Sequence, residues 1–204
     1  MKTLMKGVIG MAFVVISSGI FAQTQVAIGL KGGLNFANLD VSSATNTYNN
    51  RTGYHAGAFV LFKFAKIGIQ PEIVFSQQGS TVKINTTDYD ANFSYVNIPI
   101  MLKLYTVAGI NLQVGPQFGF LTSAKSDYNP ITNQPESGAD VSSAYKKSDV
   151  SLGMGVGWDL PLGLMINARY NLGLSTIDNS ANLQATKNQV WQVSVGYKLF
   201  KFGK

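Results

Sequence analysis

The sequence has no cysteine and a single histidine, His55, in 204 residues. Because no disulfide can form, the stability of the folded chain depends on packing and hydrogen bonding. A zinc site needs several Cys or His ligands close together. The acidic residues of the polar stretches are too few at fixed offsets to indicate a calcium loop. We therefore expect neither a metal site nor a cofactor.

Charged residues are scarce as well. They make up 13% of the chain, which is about half of their usual share in a soluble domain. The 16 basic and 10 acidic residues leave a net charge of +6. The basic residues form no cluster, so nucleic acid is not an expected partner. Together with 21 glycines and 11% aromatic residues, this composition argues against disorder and against an ordinary soluble surface.

Long apolar runs are absent except at the beginning of the chain. Two lysines precede an uncharged apolar stretch over residues 7–21, and the small residue Ala22 follows it. This is the organisation of a secretory signal peptide. We predict a signal peptide over 1–22 and a mature domain over 23–204. The run is shorter than the roughly 20 residues of a transmembrane helix, and an uncleaved anchor is the alternative.

The remaining chain alternates between bulky apolar and small or polar side chains, as in the stretch from Trp191 to Leu199. Alternation with a period of two predicts strands with two unlike faces. Such strands are longer than the roughly 5–6 residues usual in globular proteins and slightly exceed the roughly 9–11 that cross a bilayer at a tilt. Eight segments follow the pattern: 25–36, 53–64, 66–78, 93–105, 109–121, 148–160, 163–174 and 188–200.

The connections between these segments alternate in length. Segments two and three, four and five, and six and seven are joined tightly, whereas the others are joined by long polar stretches such as 122–147. Short turns on one rim and long loops on the other are typical of outer-membrane barrels. The sequence therefore predicts an all-β fold, an eight-stranded antiparallel up-and-down transmembrane β-barrel. A soluble sandwich is the alternative.

We expect the bulky face of each strand to contact lipid. The interior of an eight-stranded barrel is only just wide enough for side chains, and it would not hold so many aromatic residues. Aromatic residues of such barrels form a girdle at each membrane interface. We place Phe36, Phe75, Phe118, Phe120 and Trp191 near the loop rim, and Phe62, Phe64, Tyr105, Trp158 and Tyr197 near the short-turn rim.

The polar face should line the lumen, because a charge on lipid would cost about 2–4 kcal/mol at the midplane. We expect the single acid Glu72 to bridge Lys103 or Arg169. The complete predicted network of charged lumen residues comprises Lys31, Lys63, Glu72, Lys103, Arg169 and Lys198.

Five positions conflict with a regular barrel. Phe59 and Leu61 fall on the polar face, where they either plug the lumen or mark a bulge that shifts the register. Pro71, Pro99 and Pro116 fall inside strands. Because a proline removes a ladder hydrogen bond, we expect bulges at these three sites.

Several stretches resemble a known family. The segments "VAIGLKGGLNFANL", "IGIQPEIVFSQQGS", "YVNIPIMLKLY" and "LQVGPQFGFLTSAK" are similar, in order, to those of the PorT-like outer-membrane β-barrel proteins of Bacteroidetes. The resemblance covers nearly the whole mature chain. It implies an eight-stranded barrel of the OmpA or OmpX kind, located in the outer membrane. One member of the family is associated with protein secretion across that membrane, but most members have no assigned activity. The resemblance therefore implies location more firmly than function.

No catalytic motif accompanies this fold. Ser, His and Asp all occur, but the sequence has no GxSxG nucleophile elbow, so we expect no catalytic residue and no enzymatic activity. The predicted function is that of a structural or interaction protein with a side-chain-filled lumen. Its expected partners are outer-membrane lipid and an envelope or extracellular protein bound by the loops. A small-solute pore or secretion-associated barrel is one alternative, and a soluble secreted ligand-binding barrel is another.

Overall fold

The computed structural model describes residues 24–41, 48–84, 87–129, 132, 134–175 and 186–203. The predicted signal peptide lies outside them. In this part of the chain no helix is long and apolar enough to span a membrane. The strands are β1 (Thr24–Val41), β2 (Tyr48–Phe64), β3 (Ile67–Ile84), β4 (Thr87–Tyr105), β5 (Ile110–Asn129), β6 (Gln134–Asp140), β7 (Ser148–Asp159), β8 (Leu164–Gly173) and β9 (Thr186–Phe202).

Eight of these strands close into a ring. Each of β1, β2, β3, β4, β5, β7, β8 and β9 pairs antiparallel with the next, and β9 pairs with β1. The predicted eight-stranded up-and-down barrel is therefore confirmed. The strands extend beyond the predicted segments mainly on the loop side, as β5 does by reaching Asn129.

The strands of the ring are staggered. A path of directly paired residues that starts at Thr24 and crosses every strand of the ring returns to β1 at Leu34. The start and the end of the path are about ten residues apart along β1. This offset is the shear of the barrel, and it requires the strands to tilt relative to the barrel axis. The stagger brings residues that are distant in sequence to the same height in the lumen. The intermediate residues of the path are Phe64, Ile67, Leu104, Leu112, Val156, Ala168 and Val193.

Strand β6 was not predicted and lies outside the ring. It pairs with the end of β5, with Asn129 opposite Gln134 and Lys125 opposite Asp140. Its sequence "QPESGAD" reads as a turn because it contains proline and glycine and lacks alternation. It forms a strand because β5 continues above the ring and offers a free edge.

The prediction of bulges at the three prolines is wrong. The pairing of β3 with β4 skips Glu72 and Ile73 after Pro71 and then resumes in the same register. The pairing of β4 with β5 is likewise in one register on both sides of Pro99, and that of β5 with β7 continues through Pro116. The register shifts of the barrel lie elsewhere, at Ile28/Gly29, Asn50/His55 and Ser94/Tyr95.

Of the two alternatives for Phe59 and Leu61, the structure shows the plug. β1 and β2 pair without a register shift through this region. Both side chains are buried, in a cluster with Ala27 and Met165. The lumen is therefore filled partly by apolar side chains near the short-turn rim.

Candidate functional site

The middle of the lumen is organised around the carboxylate of Glu72. Lys31 Nζ lies 2.9 Å from Glu72 Oε2. Arg169 donates to both carboxylate oxygens, at 3.2 and 2.9 Å, in a two-pronged contact that fits a guanidinium to a carboxylate. Gln70 Nε2 donates to Oε1 at 2.9 Å. Three strands, β1, β3 and β8, thus place one acid between two bases in the barrel interior.

A second group surrounds Asp159, the last residue of β7, near the short-turn rim. Lys103 Nζ lies 3.0 Å from Oδ1 and Lys198 Nζ lies 2.7 Å from Oδ2. The Tyr105 hydroxyl donates to Oδ2 at 2.9 Å, and Asn111 Nδ2 donates to Oδ1 at 3.1 Å. The Asp159 carboxylate therefore has two cationic partners, as Glu72 does. Each group has one negative and two positive side chains, so the cations outnumber the carboxylates.

Two glutamines connect the groups. Gln70 accepts from Lys103 Nζ at 3.3 Å while it donates to Glu72. Gln113 accepts from Arg169 at 3.0 Å and donates to Asn111 Oδ1 at 2.9 Å. Since hydrogen-bonded networks in a low-dielectric interior reinforce one another, the middle and lower lumen form one connected polar core.

The structure buries five of the six predicted charged residues inside the barrel and leaves Lys63 partly exposed, and the pairing differs from the prediction. Glu72 contacts Arg169, as expected, and Lys31, whereas Lys103 pairs with Asp159. Lys63 Nζ lies 4.1 Å above the centre of the Tyr105 ring. Glu72 is therefore not the one acid of the lumen. Asp159 was missed although it lies on the polar face, because it is the last residue before a short turn.

The placement of Tyr105 in an aromatic girdle is wrong. Its side chain is 4% exposed and its hydroxyl binds Asp159 inside the barrel. The strand period would have shown this, because Tyr105 lies two residues after Lys103 and so shares its face. The remaining predicted girdle residues are exposed on the outer surface: Phe36, Phe75, Phe118, Phe120 and Trp191 towards the loops, and Phe62, Phe64, Trp158 and Tyr197 towards the short turns.

A layer of neutral polar groups lies above Glu72. Asn35 is its centre and donates to Ser76 Oγ and to the carbonyl oxygens of Tyr54 and Gln77 at 2.9–3.0 Å. Asn35 Oδ1 lies 2.8 Å from His55 Nδ1 and accepts from Gln192 at 3.0 Å. His55 thus has a structural position between strands, with no Ser–His–Asp arrangement among the described hydrogen bonds.

Apolar clusters lie towards both ends of the polar core. The short-turn end holds the cluster of Phe59 and Leu61 described above. At the loop end, the chain after β6 folds back over β4 and β5 and buries Phe93, Tyr95 and Val141. Among the described residues, side chains therefore fill the lumen near its short-turn end, in its middle and at its loop end.

The fold and its exposed apolar outer surface define an integral outer-membrane β-barrel with a filled lumen. The chain belongs to the outer membrane protein beta-barrel domain family, whose model matches residues 21–179. The protein is therefore located in the outer membrane and embedded in its bilayer. Comparison with curated proteins gives no match.

Solved structures of small outer-membrane barrels are similar in fold. Neisserial surface protein A is 11% identical, with a TM-score of 0.56, and the match covers 85% of this chain and 99% of that one. Ail, the attachment invasion locus protein of Yersinia pestis, is 17% identical, with a TM-score of 0.49 over 88% of this chain and 99% of Ail; that structure is a complex with the heparin analogue sucrose octasulfate.

The outer face supports a quantitative prediction. Val195 is about half exposed, on β9 between Trp191 and Tyr197. We expect Val195→Arg to lower the free energy of unfolding by about 2–4 kcal/mol, the cost of an arginine on lipid near the midplane. Thr52→Arg, exposed near the loop rim, should cost about 0–1 kcal/mol, as near an interface. Urea unfolding in lipid vesicles measures both, and equal losses would contradict the assignment.

Proposed function

We propose that the protein acts as an interaction protein of the outer membrane, binding an envelope or extracellular partner through its loop side. The observation that carries the proposal is the contrast between the two regions of the barrel. The lumen is filled by ion pairs, whereas β4, β5 and β6 continue beyond the ring with a packed core of their own. We call these loop-side ends of β4, β5 and β6, with the chain that packs on them, the projection. A packed projection on a closed barrel supports recognition better than transport.

The projection has the features of an ordered binding surface. The rings of Tyr89 and Tyr128 lie 5.3 Å apart, and those of Phe93 and Tyr145 lie 4.9 Å apart, edge to face. Tyrosine supplies a large contact area at a low cost in conformational entropy. Hydrogen bonds from Ser142 hold the pKa of the Asp140 carboxyl below its usual value. The Asp140 carboxylate, opposite Lys125 on β5, is therefore an exposed charged group of the projection.

The absence of cysteine makes the proposal directly testable. Ser137→Cys places a unique thiol at an exposed position of β6 in the projection, and Val107→Cys places one on the exposed turn at the opposite rim. We expect a thiol-directed photo-crosslinker on native envelopes to capture a defined partner from position 137 and not from position 107. Capture of the same protein from both positions, or of none from 137, would refute recognition by the loop side.

The packed lumen also supports a prediction about conductance. We expect the purified protein in planar bilayers to show no steady channels, because charged and apolar side chains occupy the barrel cross-section. The comparison is the unfolded chain added at the same detergent concentration. Reproducible channels with a solute size cutoff would favour the pore alternative.

Three finer assignments complete the proposal. We infer that residues 1–22 are a cleaved signal peptide, since the protein reaches the outer membrane and its beginning has the corresponding pattern. We also infer that it is a PorT-like member of its family, on the stretches quoted above. Finally, we infer that it is not an enzyme, because His55 contacts Asn35 and Arg169 contacts Glu72, and no described hydrogen bond pairs a nucleophile with a general base.

A further inference from the structure

A third carboxylate, Asp149, lies at the loop end of the lumen and differs from the other two. Glu72 and Asp159 each contact two cationic side chains. Among the residues that the structure describes, no lysine or arginine forms an ion pair with Asp149, whose partner is the backbone N–H of Gly119. Asp149 is partly buried, and burying a carboxylate is costly without a counter-charge.

The polar groups around Asp149 are also unsatisfied. A small cavity of about 10 Å³ is lined by Asn97, Gln117, Asp149, Ser151 and Asn171, among others. Asn97, Ser151 and Asn171 are each less than 7% exposed. Ser151 Oγ, Asn97 Nδ2 and both polar atoms of the Asn171 amide have no hydrogen-bond partner in the described part of the chain. Buried polar atoms normally have partners, so these atoms indicate a missing ligand. Ser151 Oγ and Asn171 Oδ1 are oxygens that can face a cation, whereas the two amide nitrogens are donors.

The geometry at Gly119 shows where oxygen atoms converge. A Cβ at this position would overlap Asp149 Oδ1 and would lie 3.1 Å from Asn97 Oδ1. Because Gly119 has no side chain, the Asp149 carboxylate occupies the space above it, with Asn97 Oδ1 beside it. Glycine is suited to this position because any other residue would displace the carboxylate.

We propose that this cavity binds one small hard cation, of the chemistry shared by Ca²⁺ and Na⁺. Such ions prefer carboxylate, amide and hydroxyl oxygens, which are the groups present. The volume fits a single ion or one water molecule, but water would leave the charge of Asp149 uncompensated. The described residues include no group of three or more His, Cys, Asp and Glu side chains that could hold a metal. A site with one carboxylate binds weakly, as extracellular calcium modules do at about 10⁻⁴–10⁻³ M.

The position gives the ion a role that is independent of partner binding. Asp149 lies next to Ser148, which pairs with Phe120, and Tyr95 of the loop-side apolar cluster also lines the cavity. A bound cation would thus join the lumen to the base of the projection. The inference rests on the fold and on the outer-membrane location, not on the proposed recognition of a partner.

Thermal unfolding of the full mature chain in detergent micelles tests the site. CaCl₂, NaCl and choline chloride are compared at equal ionic strength. We expect Ca²⁺, Na⁺ or both to raise the unfolding midpoint relative to choline, because a ligand of the native state stabilises it by mass action. The comparison of CaCl₂ with NaCl identifies which ion stabilises the protein.

Three variants locate the effect. Asp149→Asn should weaken the apparent affinity for the responding ion at least tenfold, and Gly119→Ala should do the same by displacing the carboxylate. Asp140→Asn removes the same charge from an exposed residue of the projection and should leave the response intact. If neither ion differs from choline in the wild-type protein, or if Asp149→Asn retains the full response, the proposal is wrong.

Discussion

Replacing Glu72 by glutamine should destabilise the barrel by about 3–5 kcal/mol, the cost of removing one partner of a buried ion pair. The substitution preserves shape but leaves Lys31 and Arg169 buried side by side without their shared counter-charge. Salt should not rescue the variant, because the pair lies out of reach of screening ions. Urea unfolding in lipid vesicles and loss of heat-modifiable gel mobility are the measurements.

Two controls distinguish this effect from a general loss of charge. Glu136→Gln changes an exposed acid that accepts a hydrogen bond from Asn129, and exposed charges contribute little. Lys31→Met removes a base and leaves Glu72 with its two-pronged contact to Arg169. Since the two groups contain four cations and two carboxylates, loss of a base should cost less than loss of the acid. If Lys31→Met lowered the free energy of unfolding as much as Glu72→Gln does, the excess of cations over carboxylates would not explain the effect of Glu72→Gln.

Phe59→Ala should be similarly damaging, at about 3–5 kcal/mol, because it removes a fully packed aromatic ring and leaves a cavity. The ring is 2% exposed and fills space that a Cβ at Gly29 would occupy. It packs with Leu61 and Met165 at the short-turn end of the lumen. The same unfolding measurement in vesicles applies.

Phe59→Leu is the matched variant, since swaps that nearly conserve apolar volume usually cost less than about 1.5 kcal/mol. If Phe59 faced lipid rather than the lumen, the two substitutions would have similar effects. A small cost for both would therefore refute the plug, whereas a large difference would support it.

Much of the candidate site could be read from the sequence because strand faces follow from a period of two. That period placed Lys31, Glu72 and Arg169 on one side of their strands and Trp191 on the other. The same period applies to Tyr105, which was assigned to the wrong face, and to Asp159, which was not recognised as a lumen charge. Each is the last residue of its strand, where few alternating neighbours define the pattern.

Other features could not be read in this way. The sequence of β6 has no strand pattern, and it pairs because an extended β5 is beside it. The placement of the Asp149 carboxylate depends on Gly119, which lies on a different strand and is directly opposite Asp149 only in the folded register. The regular pairing at the prolines is likewise a property of the closed ring. Paired residues before and after each proline keep the two strands in one register.

The sequence by itself determined the class of fold, the number of membrane strands and the face that most side chains take. These properties are local, because they depend on the alternation of residues that are neighbours along one strand. The tertiary structure decided which charges meet. Arg169 contacts Glu72 across a separation of 97 residues, because the shear and closure of the ring bring β3 and β8 to the same height. Such pairing depends on the stagger of all eight strands together, and no single segment specifies it.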